Sequence, residues 1–230
     1  MVLGAVVKCL TVKMTVKRAD GLAATMNSGP RPVLSRTVIA ETALAVLDER
    51  GEEALTLREV ARGLDVKASS LYNHVRSKSE ILDLVTELIS SQVDLTLLHD
   101  QNWREALRGF AGVYRKAFLA HPNAAAVIAR RAVNTPSSLR YYSTAVETLT
   151  KAGWSRAQAL EIVLAVDYIV MGSIIVPFST GFVAAPHEYG PEYAPLADAI
   201  AAVDPATIDD QVFASTLDRY LAGLGGPDGE

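Results

Sequence analysis

The stretch from Thr56 to Lys78, TLREVARGLDVKASSLYNHVRSK, constrains the fold of this chain more than any other. Thr56 and Glu59 stand at the spacing of a capping box, in which a hydroxyl and a carboxylate satisfy the free N–H groups of a helix start. Leu57, Val60, Ala61 and Leu64 then recur at helical spacing, so a two-turn helix with one buried stripe is expected. Gly63-Leu64-Asp65 reads as a turn, with Asp65 in the left-handed backbone that Asp tolerates better than most residues. A second helix is expected from Lys67 or Ala68 to His74. Leu71 and Val75 face inward, while Lys67, Ser69, Ser70, Tyr72, Asn73 and His74 lie on or near the outer face. Ser77 and Glu80 form a second capping box, which starts a longer helix with Lys78 in its first turn. Two short helices around a tight turn suit insertion of the second into a DNA major groove. A helix N-terminus beside a lysine suits a backbone phosphate.

The charge pattern agrees with a nucleic-acid contact there. The whole chain carries −4, with 22 Lys and Arg against 26 Asp and Glu. By segment, residues 1–30 carry +3, residues 31–80 balance, and residues 81–230 carry −7. Within 55–78 there are five basic residues to two acidic ones, and phosphate attraction is local because salt screens it. Half of the residues are hydrophobic and the chain has 230 of them, enough for one reader and one sizeable core domain. A single cysteine, Cys9, leaves no internal disulfide and no cysteine-rich zinc site, so a reducing cytoplasm is the expected compartment. No unbroken apolar run reaches the ~18 residues of a membrane span, so no membrane partner is expected.

The remainder reads as helix throughout. Ser35 caps a first helix that ends at Gly51, with Val38, Ile39, Thr42, Ala43, Val46 and Leu47 as its stripe. From Ser77 one long helix is expected to about Leu98, then Trp103 to Ala120, closed by His121-Pro122. Shorter segments follow from Asn123 to Val133 and from Ser137 to Lys151. Ser155 caps a strongly apolar helix that runs to about Val176 and is stopped by Pro177. Residues 178–206, rich in proline, read as a loop with at most one short helix. Thr207 or Asp209 opens a last helix to about Leu221. The fold class is all-α: an N-terminal three-helix helix-turn-helix DNA-binding domain and a C-terminal helical domain for ligand binding and dimerisation. The expected divisions are a disordered N-terminal arm at 1–32, the DNA-binding domain at 33–80, the ligand and dimer domain at 81–223, and a disordered tail at 224–230. The first segment has no period, and Met14 and Met26 offer later starts, so a misplaced start is the other reading of it.

TLREVARGLDV, LYNHVRSK and the following SEILDLV, with the helix Ser35–Arg50 before them, resemble the tetracycline-repressor (TetR) family of regulators. Asp65 stands where that family usually has glycine, and Lys67 near where many members have a serine cap. The body from about Trp103 to Val176 resembles the family's ligand domain more loosely. The resemblance implies a repressor that binds a palindromic double-stranded operator as a homodimer and leaves it when a small effector binds. It also implies that the dimer forms through the last two major helices, here Ser155–Val176 and Thr207–Leu221. Independently, Leu160, Ile162, Val163, Leu164, Val166, Ile169 and Val170 leave almost no polar face on the first of these, which asks for burial on several sides. A fully central helix of a monomer is the plainer alternative.

The base-facing candidates are Lys67, Ala68, Ser69, Ser70 and Asn73, and the phosphate candidates are Thr56, Tyr72, His74 and Lys78. The candidate effector site comprises Phe110, Tyr114, Ile128, Tyr168, Met171 and Ile175, with Asp94 and Asn134 as polar groups, a mostly apolar lining that suits a largely apolar effector. Each of these also reads as ordinary core. Tetracycline repressors hold a magnesium–drug complex through histidine and acidic ligands, and those positions fall near Ile128 and Val176 here, so no metal and no cofactor are expected. His99, His121 and His187 are scattered, and Ser143, Ser173 and Ser179 lack a nucleophile elbow. No glycine-rich phosphate loop occurs either, so an enzyme is not expected. Asp167, on the apolar helix, reads as a satisfied buried or dimer-facing carboxylate. The competing functions are a transcriptional activator, and a helical small-molecule binding protein whose helix-turn-helix serves only packing. The latter would bury the outer face of 67–74.

Overall fold

Each helix of the reader starts at an oxygen-bearing cap except the one that faces DNA in such motifs. In the computed structural model, which describes residues 34–99 and 102–227, α1 spans Arg36–Ala54 with Ser35 accepting from the Val38 N–H at 3.3 Å. Its helical backbone breaks at Gly51, φ 73°, a conformation that glycine adopts at no steric cost, and one further turn follows. Helix α2, Leu57–Gly63, is capped by Thr56, whose hydroxyl accepts from the Glu59 N–H at 3.1 Å. The reciprocal half of that box is not formed, because Glu59 spends its carboxylate on Arg50 and Arg62. Asp65 makes the turn at φ 53° and is the one non-glycine residue with positive φ among those described. Helix α3, Ala68–Leu71, is a single turn, shorter than the expected run to His74. Its N-cap, Lys67, has no side-chain acceptor, and the His74 and Val75 N–H groups both close on the Leu71 carbonyl.

Helix α4, Lys78–Ser90, is capped by Ser77, with Glu80 reaching back to the Arg76 N–H at 2.9 Å. The expected continuation to Leu98 is interrupted. The chain turns after Ser90 and resumes as a 3-10 helix over Leu95–His99. Asp94 explains the restart: its carboxylate accepts from the Thr96 N–H and hydroxyl at 2.9 and 2.7 Å, a local cap that competes with helix continuation.

Helices α5 (Trp103–Leu119), α6 (Pro122–Ile128), α7 (Pro136–Lys151) and α8 (Arg156–Ile175) build the body. Helix α6 stops five residues short of the expected Val133, and the segment 129–134 leaves the helix as an irregular wall. The region 178–206 holds more structure than a loop: α9 (Phe178–Gly181), 3-10 turns at Pro186–Glu188 and Pro191–Tyr193, and α10 (Ala194–Ala201). Pro186, Pro191 and Pro195 fall in first turns, where a missing N–H is harmless. Helix α11, Ile208–Gly223, closes the fold. Beyond it, Arg104 donates to the carbonyls of Leu221 and Gly225, which ties the chain just past α11 to α5. The expectations for residues 1–32, Cys9 among them, lie outside the described residues, as do 228–230.

No strand occurs among the described residues, and the all-α class stands as expected. Helix α4 packs along α1 on one side and against α5, α6 and α7 on the other, so reader and body share one continuous core. Helix α8 is long and apolar enough to cross a bilayer by length and composition, with a mean hydropathy of 1.7. Here it packs instead on α5, α6, α7 and α11. Arg115 joins three of these helices, donating to Ser173 on α8 at 2.9 Å and to Asp210 on α11 at 2.6 Å.

Candidate nucleic-acid interface and ligand cavity

The helix-turn-helix presents Lys67, Ser69, Tyr72 and Asn73 to solvent, with Tyr72 58% exposed. Thr56 is also exposed, its hydroxyl already used as the α2 cap. Ala68 and Ser70 are half-buried, and Ala68 packs on the core, which makes it the least accessible of the base-facing candidates. His74 is half-buried, and its carbonyl accepts from Arg36 at 3.1 Å. Lys78 is half-buried, and its ammonium donates to the Glu52 carbonyl at 2.7 Å, a tie across α1 that aims the side chain and leaves two donors. Arg58 and Arg76 are exposed cations of the same motif that the residue-by-residue reading missed, although the local charge balance counted them. Arg62, with Arg50 behind it, holds the Glu59 carboxyl down at about 2, so that acid stays ionised and paired at the foot of α2.

Below the reader the body holds a partly open cavity of about 130 Å³. Its wall comes from α4 (Thr86), α5 (Tyr114, Phe118), the end of α6 and the segment after it (Ile128, Ala129 and Arg131 to Asn134), α7 (Ser138, Tyr142) and α8 (Asp167, Tyr168, Met171). Five of the eight candidates therefore converge: Tyr114, Ile128, Asn134, Tyr168 and Met171. Three do not. Phe110 is buried one layer behind, stacked on Tyr141 with ring centroids 4.3 Å apart. Ile175 is 40% exposed on α8, and Asp94 is an exposed cap of the 3-10 helix.

Asp167, expected as a satisfied buried or dimer-facing carboxylate, is satisfied at one oxygen only among the described residues. It lines the cavity; one oxygen accepts from the Tyr142 hydroxyl at 3.1 Å, and the other is buried with no hydrogen-bond partner among the described residues. Burial pushes the Asp167 carboxyl above its ordinary range, and the Tyr142 hydrogen bond offsets this in part. Burial, with the nearby Asp167 charge second, also pushes up the hydroxyls of Tyr114, Tyr141 and Tyr142. Of the two positions aligned with the family's metal ligands, Ile128 lines the cavity and Val176 is 73% exposed. No cluster of three potential metal ligands occurs among the described residues.

The segment that walls the cavity also grips the reader. Arg131 lines the cavity and donates to the Ser79 carbonyl at 3.0 Å, the Ser79 hydroxyl at 2.9 Å and Asp83 at 2.6 Å, all in the first two turns of α4. Arg130 pairs with Glu52 at 2.6 Å, at the end of α1. At the other end of α6, His121 lies 2.7 Å from Asp48, and Asn123 donates to the carbonyls of Leu47 and Asp48.

An exposed helix-turn-helix is joined through one shared helix to a helical body that holds a cavity. Comparison with known proteins agrees. Residues 39–85 match the family model described as bacterial regulatory proteins, tetR family, and residues 97–226 match the tetracyclin repressor-like C-terminal domain. The chain belongs to the tetracycline-repressor family. A transcriptional regulator with a helix-turn-helix from Saccharopolyspora erythraea is 33% identical over 64% of this chain, and the match spans 62% of that relative's own length. Among solved structures, apo ActR from Streptomyces coelicolor superposes with a TM-score of 0.71 at 26% identity, over 85% of this chain and 96% of that one. A variant of TetR from Acinetobacter baumannii, in complex with minocycline, gives 0.63 at 26% identity, over 83% and 96%.

Proposed function

We propose that this protein is a transcriptional repressor that binds a palindromic operator as a homodimer and leaves it when a small, largely apolar effector enters the cavity. The observation that carries the reading is Arg131. The same side chain lines the cavity and holds Ser79 and Asp83 at the head of α4, directly after the helix-turn-helix. A ligand that displaces the 128–134 wall therefore shifts the helix on which the reader is mounted, and a differential fit to two such positions is what repression and release require. Base contacts fall to Lys67, Ser69, Ser70 and Asn73, with Ala68 behind them, and phosphate contacts to Thr56, Tyr72, His74 and Lys78. Apolar side chains left outside on α8 and α11 support a two-fold pairing. Leu160 and Ile175 on α8 are 45% and 40% exposed, Val176 just past α8 is 73% exposed, and Val212 on α11 is 52% exposed.

The exposure of Lys67, Ser69 and Asn73 weighs against a binding protein whose helix-turn-helix is only packing. The minocycline complex of the Acinetobacter relative supports a ligand in this body. Selection of bound sequences from a randomised duplex pool tests the reading. Enrichment of an inverted repeat with half-sites about one helical turn apart is expected. Recovery of no motif, or of an unrepeated one, would refute it.

A further inference from the structure

We propose that the effector is an organic cation: an aromatic amine whose ammonium group sits at Asp167 among the cavity's aromatic side chains. The inference rests on the reading of the cavity as the effector site, and it adds the charge of what enters. Among the described wall residues the only carboxylic acid is Asp167 and the only cation is Arg131. Arg131 is already matched, since its guanidinium lies 2.6 Å from Asp83 and also donates to Ser79. Asp167 has no such match. Tyr142 satisfies one oxygen, and the second is buried without a donor. A buried acceptor of this kind calls for a donor, and the described residues supply none. An anion would meet an unneutralised carboxylate at close range and no uncommitted cation.

The remaining wall favours positive charge as well. Tyr114, Phe118, Tyr142 and Tyr168 contribute four aromatic rings, whose faces carry negative quadrupole density that attracts an ammonium within about 6 Å. The other polar groups are partly committed. The Thr86 hydroxyl donates to the Leu82 carbonyl at 2.8 Å, and the Ser138 hydroxyl accepts from Thr135 at 2.8 Å. A volume of about 130 Å³ is close to the roughly 150 Å³ of an engineered cavity that takes up benzene, so it holds one ring of an aromatic amine, and its open side leaves room for a second.

The test uses one skeleton in three charge states: tryptamine as the cation, tryptophol as the neutral hydroxyl, and indole-3-acetate as the anion. Binding to the full chain is measured by titration calorimetry, and duplex release by anisotropy in a second arm. Tryptamine is expected to bind at least about tenfold more tightly than tryptophol, with indole-3-acetate weakest. Asp167→Asn, which keeps an acceptor for Tyr142, is expected to abolish that order, and Asp167→Ala repeats the test if the amide variant melts early. Equal or tighter binding of the neutral or anionic compound overturns the inference, as does an order that survives in both variants, or binding of none of the three. The two levels separate cleanly. Tryptamine that binds through Asp167 yet leaves duplex affinity untouched upholds the cavity's preference for a cation and refutes effector release.

Discussion

Asp167 is the residue at which stability and recognition conflict. Burial raises its carboxyl pKa in the folded chain above the unfolded value, so the folded state holds that proton to higher pH. Its contribution to stability therefore falls as pH rises from the ordinary aspartate value through the raised one. Asp167→Asn is expected to stabilise the apo protein at neutral pH by about 1–3 kcal/mol, and much less at about pH 4. Thermal melts at the two pH values check this, and a variant that melts earlier at neutral pH would show that the carboxylate is satisfied. On the reader, Lys78 and Asn73 are expected to fail differently. Lys78→Ala weakens binding to every duplex and flattens its salt slope by about one counterion, whereas Asn73→Ala changes the preference among sequences at a cost of about 1–3 kcal/mol. Parallel titrations on specific and unrelated duplexes at two salt concentrations separate the two. An unchanged salt slope for Lys78→Ala would remove it from the phosphate contacts.

At the scale of elements, the close approach of α1 and α2 sets the reader's geometry. A methyl group added at Gly63 would lie 2.8 Å from the Thr42 methyl, so the Thr42 side chain or α2 must shift to accept it. Gly63→Ala is expected to cost about 1–3 kcal/mol and to weaken DNA binding. Thr42→Ser, which removes that methyl and keeps the hydroxyl, is expected to restore both in a double-mutant cycle. Additive effects would place the strain elsewhere. These elements were legible in the sequence because their boundaries are local chemistry. Thr56, Ser77 and Ser155 cap, Gly51 and Asp65 turn, and Pro177 stops. Where the boundary depends on packing, the sequence was silent. The end of α3 at Leu71, the break after Ser90 and the early end of α6 have no strong breaker to mark them. The cavity was half legible for the same reason. The reading of the body as a ligand domain named Tyr114, Ile128, Tyr168 and Met171, but it could not say that Phe110 turns into the layer behind or that Ile175 faces out. Asp167 was visible as an oddity on an apolar helix, but its unmatched oxygen depends on how α7 and α8 meet.

Across the whole molecule, the contacts from α6 to the end of α1 are expected to carry part of the proposed coupling between cavity and reader, beside the Arg131 grip on α4. His121 to Asp48 and Asn123 to the Leu47 carbonyl lie outside both the cavity wall and the solvent-facing residues of the helix-turn-helix. Asp48→Asn combined with Asn123→Ala is expected to lower the ligand–operator coupling by about fivefold while ligand affinity without DNA is kept. Titrations of ligand with and without duplex measure that ratio, and an unchanged ratio would exclude this end of α6 from the route. Val212→Glu, on the outer apolar face of α11, is expected to yield monomers in light scattering and to lose tight DNA binding. A variant that stays dimeric would move the pairing surface elsewhere. The most direct test of DNA-directed regulation is an anisotropy titration of the purified protein against its own upstream DNA and a selected pool, with nonspecific competitor at low and high salt. Competitor-resistant binding that weakens steeply with salt is the expected result. Binding to neither DNA, or binding that competitor removes entirely, would contradict it.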